Sequence, residues 1–227
     1  LTYYQEGEDR HIAIYFDGVN ALEQFVLAKY YMTTQVYRHK IRLVTDAMIV
    51  RGIELGIEKD GIDWLTKLYT YKASEEYLEN YLSWYDERVT ASIVYDSKEG
   101  FAKDVFTRLH TRNLFKTVFS IKFKELPEIV KPQTKSLMAD ICNKDNRAKR
   151  KKIESEIAKL LSIPQEFVIV NSFTFKSVRE MSRNSEGPIM VIKKDGRPNS
   201  FEQESTFFNA IDEKVTDKIF EVYAPIE

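Results

Sequence analysis

The sequence predicts an α+β protein, with a long-helix all-α segment followed by a smaller mixed α/β lobe. Three observations carry that expectation. From Ala21 to Gly52, Leu22, Phe25, Val26, Met32, Val36, Leu43, Val44 and Ala47 recur at three- and four-residue steps, with no Gly or Pro before Gly52. That is helical periodicity. Near Arg112 the pattern changes, and Thr117 to Phe123 alternates as a strand with one buried face does. Later, the apolar run Ile189 to Ile192 leads into Lys194-Asp195-Gly196-Arg197, a hairpin-type turn signal. Helices first and mixed strands later is the order of an α+β chain.

The elements follow in order. Leu1 to Gly7 reads as a strand or loop tail, and the chain opens without an initiator Met, as a segment of a longer protein would. His11 to Phe16 reads as a short strand before the Asp17-Gly18 turn. The long helix follows, with Asn20 as N-cap and Glu23 as its capping-box partner. It closes at Gly52 or continues to Gly56, a length of roughly 45 Å at the helical rise. Ile62 to Leu68 is a short helix. Ser74 caps the next, with Glu75, Glu76 and Glu79 near its positive end and Tyr77, Leu78, Tyr81, Leu82 and Tyr85 as its apolar face. Gly100 to Leu109 is a fourth helix. Pro127 and Pro132 break the strand that precedes them. Lys144 to Leu161 is a charged helix with Ile153, Ile157, Leu160 and Leu161 on one face, ended by Pro164. Phe167 to Val170 is a buried strand. Phe207, Phe208, Ile211 and Val215 suggest a helix, and Ile219 to Tyr223 a final strand. A soft boundary near residue 110 separates a region 1–110 from a lobe 111–227. There are no internal repeats.

Composition narrows the function. A hydrophobic fraction of 43% and an aromatic fraction of 13% supply a core. A net charge of -1 gives no global pull toward nucleic acid or an anionic membrane. No apolar run approaches the roughly 18–20 residues that span a bilayer, and no signal peptide is visible. Cys142 is the only cysteine, which excludes an internal disulfide framework and a Cys-rich zinc site. A reducing, cytoplasmic location is expected.

The chain is poor in catalytic constellations. His11, His39 and His110 are its only histidines, and none stands in a His-x-x-x-His or His-Asp pair. A hydrolytic metal centre usually draws on three or more protein ligands. No phosphate loop, dinucleotide fingerprint or nucleophile elbow is present. No catalytic residue and no metal ligand is therefore expected in this chain. Cations beside aromatics are the better signals. Lys29, Tyr37, Arg38, His39 and Lys40 share the long helix, with Lys29 and Lys40 about three turns apart on nearly one face. A solvated helix face is the plain reading of that stripe. Arg112 and Lys116 share a face if their segment is helical, and together suit one polyphosphate; an ordinary helix end is the plain reading. From Lys131 to Lys152 there are eight basic and two acidic residues. This run could bind nucleic acid through its phosphates, but no Phe or Tyr interleaves it, so a solvated helix is the better reading.

Ala21-Leu22-Glu23-Gln24-Phe25-Val26-Leu27-Ala28-Lys29-Tyr30-Tyr31-Met32, followed by Gln35-Val36-Tyr37-Arg38-His39-Lys40, resembles the long helix after the catalytic core of HD-domain dNTP triphosphohydrolases. That branch includes bacterial dGTPase-like proteins and the vertebrate antiviral dNTPase. Arg112-Asn113-Leu114-Phe115-Lys116 resembles the family's Arg-Asn-Leu-Phe-Lys segment. The resemblance covers about residues 10–120. It implies that region 1–110 completes an HD-type helical domain and that 111–227 is a regulatory and oligomerisation lobe. It implies hydrolysis of a dNTP to deoxynucleoside and triphosphate by a parent protein. The divalent metal (Mg, Mn, Fe or Zn) would be held by ligands outside this chain. Lys29, Tyr37 and Arg38 would form a substrate wall. His39, Lys40, Arg112 and Lys116 would contact an effector nucleotide, GTP or a dNTP, in a homo-oligomer. Lys29 stands where the family has an arginine, Arg38 where the antiviral member has glutamine, and Asp17 where that member has lysine. An HD hydrolase of another nucleotide or phosphate ester is the first alternative. A non-enzymatic nucleic-acid-binding module using Lys144 to Lys152 is the second. No membrane partner is expected.

Overall fold

The computed structural model describes residues 1–142, 146–175, 183–184, 187–209 and 217–226. It is α+β, as the sequence predicts, and divides into two compact units. One comprises Leu1–His39 and Thr174–Lys218, the other Lys40–Phe173 and Ile219–Glu227. The change of character near residue 110 falls inside the second unit.

In the first unit, β1 (Thr2–Glu6) and β2 (Asp9–Tyr15) form an antiparallel hairpin. β2 also pairs in parallel with β7 (Met190–Ile192), which pairs antiparallel with β8 (Pro198–Ser200). The expected turn joins β7 to β8, with Gly196 N–H donating to the Lys193 carbonyl and Lys193 N–H to that of Arg197, each at 2.9 Å. β5 (Arg183–Asn184) and β6 (Gly187–Pro188) make a separate short pair. Helix α1 (Val19–Tyr31) buries Val19 and Val26 against Val191, Phe201 and Phe208. Phe201 and Phe208 come from the short helices α9 (Phe201–Glu204) and α10 (Thr206–Asn209). Ile211 and Val215, expected to extend that helical stretch, lie outside the described residues.

Two expectations about the long helix are corrected. The capping box does not form: α1 starts two residues early, Gly18 is its N-cap without a side-chain bond, and the Glu23 carboxylate instead accepts from the Ser205 hydroxyl. Nor is the helix continuous. α1 passes into a π-helical turn, Met32–Tyr37, and Arg38 leaves helical geometry at φ -112, ψ 22. α2 begins at Lys40 and runs to Glu58. Thr33, Thr34 and Val36 are β-branched, which costs helix propensity. The Thr33 hydroxyl donates to the Lys29 carbonyl at 2.8 Å, a bond that bends helices, and Arg38 N–H reaches back to the Thr33 carbonyl at 2.9 Å.

The second unit is built on α2 and α6 (Phe101–His110). Gly52 does not close α2; it sits buried inside it. A Cβ there would fall 2.6 Å from Phe106 Cε2, so the bare backbone lets the Phe106 ring of α6 seat against α2. At the end of α2, the Asp60 carboxylate accepts from Phe101 N–H at 3.3 Å and Ala102 N–H at 2.7 Å. It thus satisfies orphan donors at the α6 N-terminus and complements the helix dipole. Gly100 is needed beside it, because a Cβ would lie 2.6 Å from that carboxyl group. Between them stand α3 (Asp63–Tyr69), α4 (Glu75–Leu82) and α5 (Asp86–Ala91). Ser74 caps α4 as expected, accepting from Tyr77 N–H at 3.1 Å. The anticipated apolar face of α4 is not covered: Leu78, Tyr81, Leu82 and Tyr85 are exposed.

β3 (Lys116–Lys122) pairs antiparallel with β9 (Asp217–Ala224), and β4 (Ile169–Phe175) flanks β9 on its other side. Helix α7 (Lys131–Cys142) was not signalled: Pro132, read as a breaker, stands in its first turn, where a missing N–H costs nothing. Helix α8 (Arg147–Leu161) matches the expected charged helix, although Lys144 lies outside the described residues. Ser162 ends α8 in the left-handed region at φ 54, before Pro164 is reached. Ile163 N–H donates to the Ala158 carbonyl at 3.1 Å there, closing the helix end. Among the described residues no helix is long and apolar enough to cross a membrane.

Gly52→Ala sets two effects against each other. Better helix propensity is worth about 1 kcal/mol, and overpacking against Phe106 costs about 1–3 kcal/mol. A net loss of stability is expected in denaturant unfolding, relieved in the Gly52→Ala, Phe106→Leu double variant. A stabilised single variant would show that the two helices have room to spare.

Candidate anion-binding site

α2 and α6 run antiparallel, since Asp60 after the C-terminus of α2 caps the N-terminus of α6. The start of α2 therefore lies beside the end of α6. There the chain reverses: Thr111 N–H donates to the Thr107 carbonyl at 2.9 Å, and Arg112 adopts φ 58. Phe115, 2% exposed, plugs back into the core formed by Val44, Met48, Leu55, Val105, Ile169 and Tyr223. Its buried N–H donates to the Met48 sulfur at 3.3 Å. The plug fixes Leu114 and Lys116 beside the first turns of α2.

An open cavity of about 880 Å³ results, lined by Lys40, Ile41, Val44, Thr45, Leu109, Arg112, Leu114, Phe115, Lys116 and Thr117. Three of these residues are cations and none is a carboxylate. Among the described residues, none of Lys40, Arg112 and Lys116 makes an ion pair or side-chain hydrogen bond. The first turn of α2 adds the positive end of a helix dipole. Aliphatic walls with two threonine hydroxyls complete a pocket suited to a molecule with an anionic end and an apolar body. No His, Cys, Asp or Glu is among the lining residues.

Arg112 and Lys116 thus meet, but not on a helix face: one is in a left-handed turn and the other opens β3. Lys40 joins them. Lys29, Tyr37, Arg38 and His39 belong to the other compact unit. Lys29 is exposed in the last turn of α1, Tyr37 is exposed at the end of the π-helical turn, and His39 is exposed in the link. Arg38 is half-buried, and that burial lowers its guanidinium pKa. The single helix face that would have aligned Lys29 with Lys40 does not exist, because the helix is interrupted. Thr45 and Thr117 were missed; the only sequence signal for them is proximity to Lys40 and Lys116.

The basic run on α8 is used differently. Arg147 contacts Glu58 at 2.6 Å and Glu54 at 3.4 Å, Lys151 contacts Glu58 at 3.1 Å, and Lys149 contacts Asp140 at 2.7 Å. Glu154, 1% exposed, accepts from Arg51 and from Val170 N–H, tying α8 to α2 and β4. Among the described residues no group of three His, Cys, Asp or Glu could hold a metal ion.

The pattern of the family described as the HD associated region matches residues 5–227. No curated protein matches the chain. A solved phosphohydrolase from Bacteroides thetaiotaomicron is similar with TM-score 0.61 and 17% identity, over 98% of this chain and 53% of that one. A hypothetical protein from Aquifex aeolicus is similar with TM-score 0.56 and 19% identity, over 99% of this chain and 46% of that one. The chain spans about half the length of each.

Burial opposes ionisation of Glu58, but Lys151 and Arg147 outweigh it and hold the carboxyl below its usual value of 4.5. A depressed folded pKa stabilises the fold above the unfolded value and ceases to do so as pH falls through the folded value. Stability should therefore decline below about pH 4.5. Glu58→Gln is expected to flatten part of that acid limb in thermal unfolding scans; an unchanged limb would mean the α2–α8 pairs are solvent-screened.

Proposed function

Because the chain belongs to the HD associated region family, we propose that it is the nucleotide-sensing part of a larger HD-type phosphohydrolase, binding an effector's phosphates at Lys40, Arg112 and Lys116. The observation that supports this is the convergence on one cavity, without a carboxylate in its lining, of three cations that have no ion-pair partner among the described residues. Bringing like charges together without counter-ions is unfavourable, and a polyphosphate relieves it. Arg112 offers a bidentate fork and the two lysines point charges. The similarity to the Bacteroides thetaiotaomicron phosphohydrolase supports the enzyme class of the parent.

The finer reading is a dNTP triphosphohydrolase that works as a homo-oligomer. Lys29, Tyr37 and Arg38 would line its substrate pocket, and His39 would assist the effector. A divalent metal would activate water in that reaction; its ligands would be supplied by the rest of the parent protein, since no group of three His, Cys, Asp or Glu among the described residues could hold it. The nucleic-acid reading loses ground, because Arg147, Lys149 and Lys151 are neutralised by Glu54, Glu58 and Asp140. A different nucleotide or phosphate-ester substrate is separated from dNTPs by a substrate panel on the whole protein.

Two outcomes test the proposal. The 227-residue chain supplied with Mg²⁺ or Mn²⁺ should release no triphosphate from any dNTP; turnover would place catalysis here. The Arg112→Glu, Lys116→Glu variant should keep its circular dichroism spectrum. It should bind nucleotide at least about tenfold more weakly, a cost near 1.4 kcal/mol, and lose any dGTP- or dATP-dependent shift in sizing chromatography. Undiminished binding refutes the assignment of the cavity.

A further inference from the structure

The uncovered face of α4 is acidic as well as apolar. Leu78, Tyr81 and Leu82 stand at i, i+3 and i+4 of α4, and Tyr85 follows at the turn into α5. All four are exposed, Leu82 to 71%. From Ala73 to Glu87 the chain has five carboxylates, Glu75, Glu76, Glu79, Asp86 and Glu87, and no Lys, Arg or His. All five are exposed, and among the described residues none makes an ion pair or a side-chain hydrogen bond. Arg88, the next cation along the chain, is folded away. Its guanidinium carbon lies 4.3 Å from the centre of the Trp84 ring, and it donates to the Ser83 carbonyl at 2.7 Å. The face is also held from behind. Half-buried Tyr77 donates its hydroxyl to the Leu68 carbonyl of α3 at 2.9 Å, and Trp84 stacks on Trp64 of α3 with ring centres 4.3 Å apart.

We propose that this face docks a basic amphipathic helix of a partner protein. Apolar side chains three and four residues apart form the ridge against which a second helix packs. An exposed apolar patch with a charged rim marks an interaction surface, and here the rim carries one sign only. Lys and Arg flanking the apolar side of the incoming helix meet the five carboxylates, while its apolar residues cover Leu78, Leu82 and the two tyrosines. The same charge works against other occupants. Nucleic acid and anionic lipid surfaces are repelled. A second copy laid on the face by two-fold symmetry sets carboxylate against carboxylate. Tyr77 and the tryptophan stack hold α4 before the partner arrives, which lowers the ordering cost of binding.

The probe is a fluorescent helical peptide of Leu and Lys, with Leu at i, i+3, i+4 and i+7, titrated with the 227-residue chain and followed by anisotropy. A matched peptide with Glu in place of Lys is the control. The chain should bind the Lys peptide and not the Glu peptide, and more weakly as salt rises. The Leu78→Ser, Leu82→Ser variant and, separately, the Glu75→Lys, Glu76→Lys, Glu79→Lys variant should each weaken binding at least about tenfold with an unchanged circular dichroism spectrum. The leucine variant is decisive, because a basic peptide held by charge alone would not register it. No binding, equal binding of the two peptides, or binding undiminished in either variant overturns the proposal. So do two other results. Self-association in sedimentation that the leucine variant abolishes gives the face to a second copy. A whole parent protein that fails to bind the peptide its isolated 227-residue part binds gives the face to the rest of the parent.

Discussion

The close approach of α2 and α6 is the constraint on which the second unit depends. Gly52 gives up its side chain so that the Phe106 ring can seat against the helix backbone, and Gly56 does the same for Leu65. Dispersion contacts across such a seam are individually small and collectively large. Once the helices pack antiparallel, both ends are determined. One end has Asp60 capping α6. The other has the first turn of α2 facing the reversal at Arg112. The cavity at that end follows from helix packing plus one plug, Phe115, rather than from a loop shaped for the purpose.

Charge is distributed unevenly around that frame. The carboxylates of the α2 C-terminal half, Glu54 and Glu58, face α8 and take up Arg147 and Lys151. Buried Glu154 takes up Arg51, with Val170 N–H as a second donor. A buried pair satisfied this way is weak as a source of stability, but removing one partner would leave an uncompensated charge. At the N-terminal end of α2 no carboxylate lines the cavity, and among the described residues Lys40, Arg112 and Lys116 have no ion-pair or side-chain hydrogen-bond partner. With a net charge of -1, the chain has enough carboxylates to cover them. Their absence from this one lining separates it from the ordinary solvated cations elsewhere.

Much of the secondary structure was legible because period and punctuation agree: the Ser74 cap, the Gly196 turn and the alternation leading into β3 all stand where the pattern puts them. The long helix misled, because apolar spacing persists through Met32–Tyr37 while three β-branched residues and a threonine back-bond pull the backbone out of register. Periodicity reports which side chains are apolar, not whether the hydrogen-bond ladder is intact. α7 was hidden for the converse reason, since a proline is a breaker inside a helix and harmless in its first turn. For the site, Arg112 and Lys116 could be paired from sequence, but their meeting with Lys40 could not. That contact spans some seventy positions and depends on the α2–α6 packing direction, which no local pattern encodes.

Arg112 shows how stability and binding oppose one another here. Its φ of 58 is a region that favours glycine, and a side chain there carries a strain of about 1–2 kcal/mol. Ser162 has a similar φ of 54, but it ends a helix away from the cavity, where a left-handed residue is an ordinary cap and glycine would serve as well. At Arg112 glycine would relieve the backbone and remove the only guanidinium in the cavity lining. The turn must be left-handed to bring β3 back against α2, and the cavity needs a planar, bidentate donor at that point if it is to hold a phosphate firmly. The two demands fall on one residue, and the strained arginine is the compromise expected where a fold gives up a little stability for a binding group.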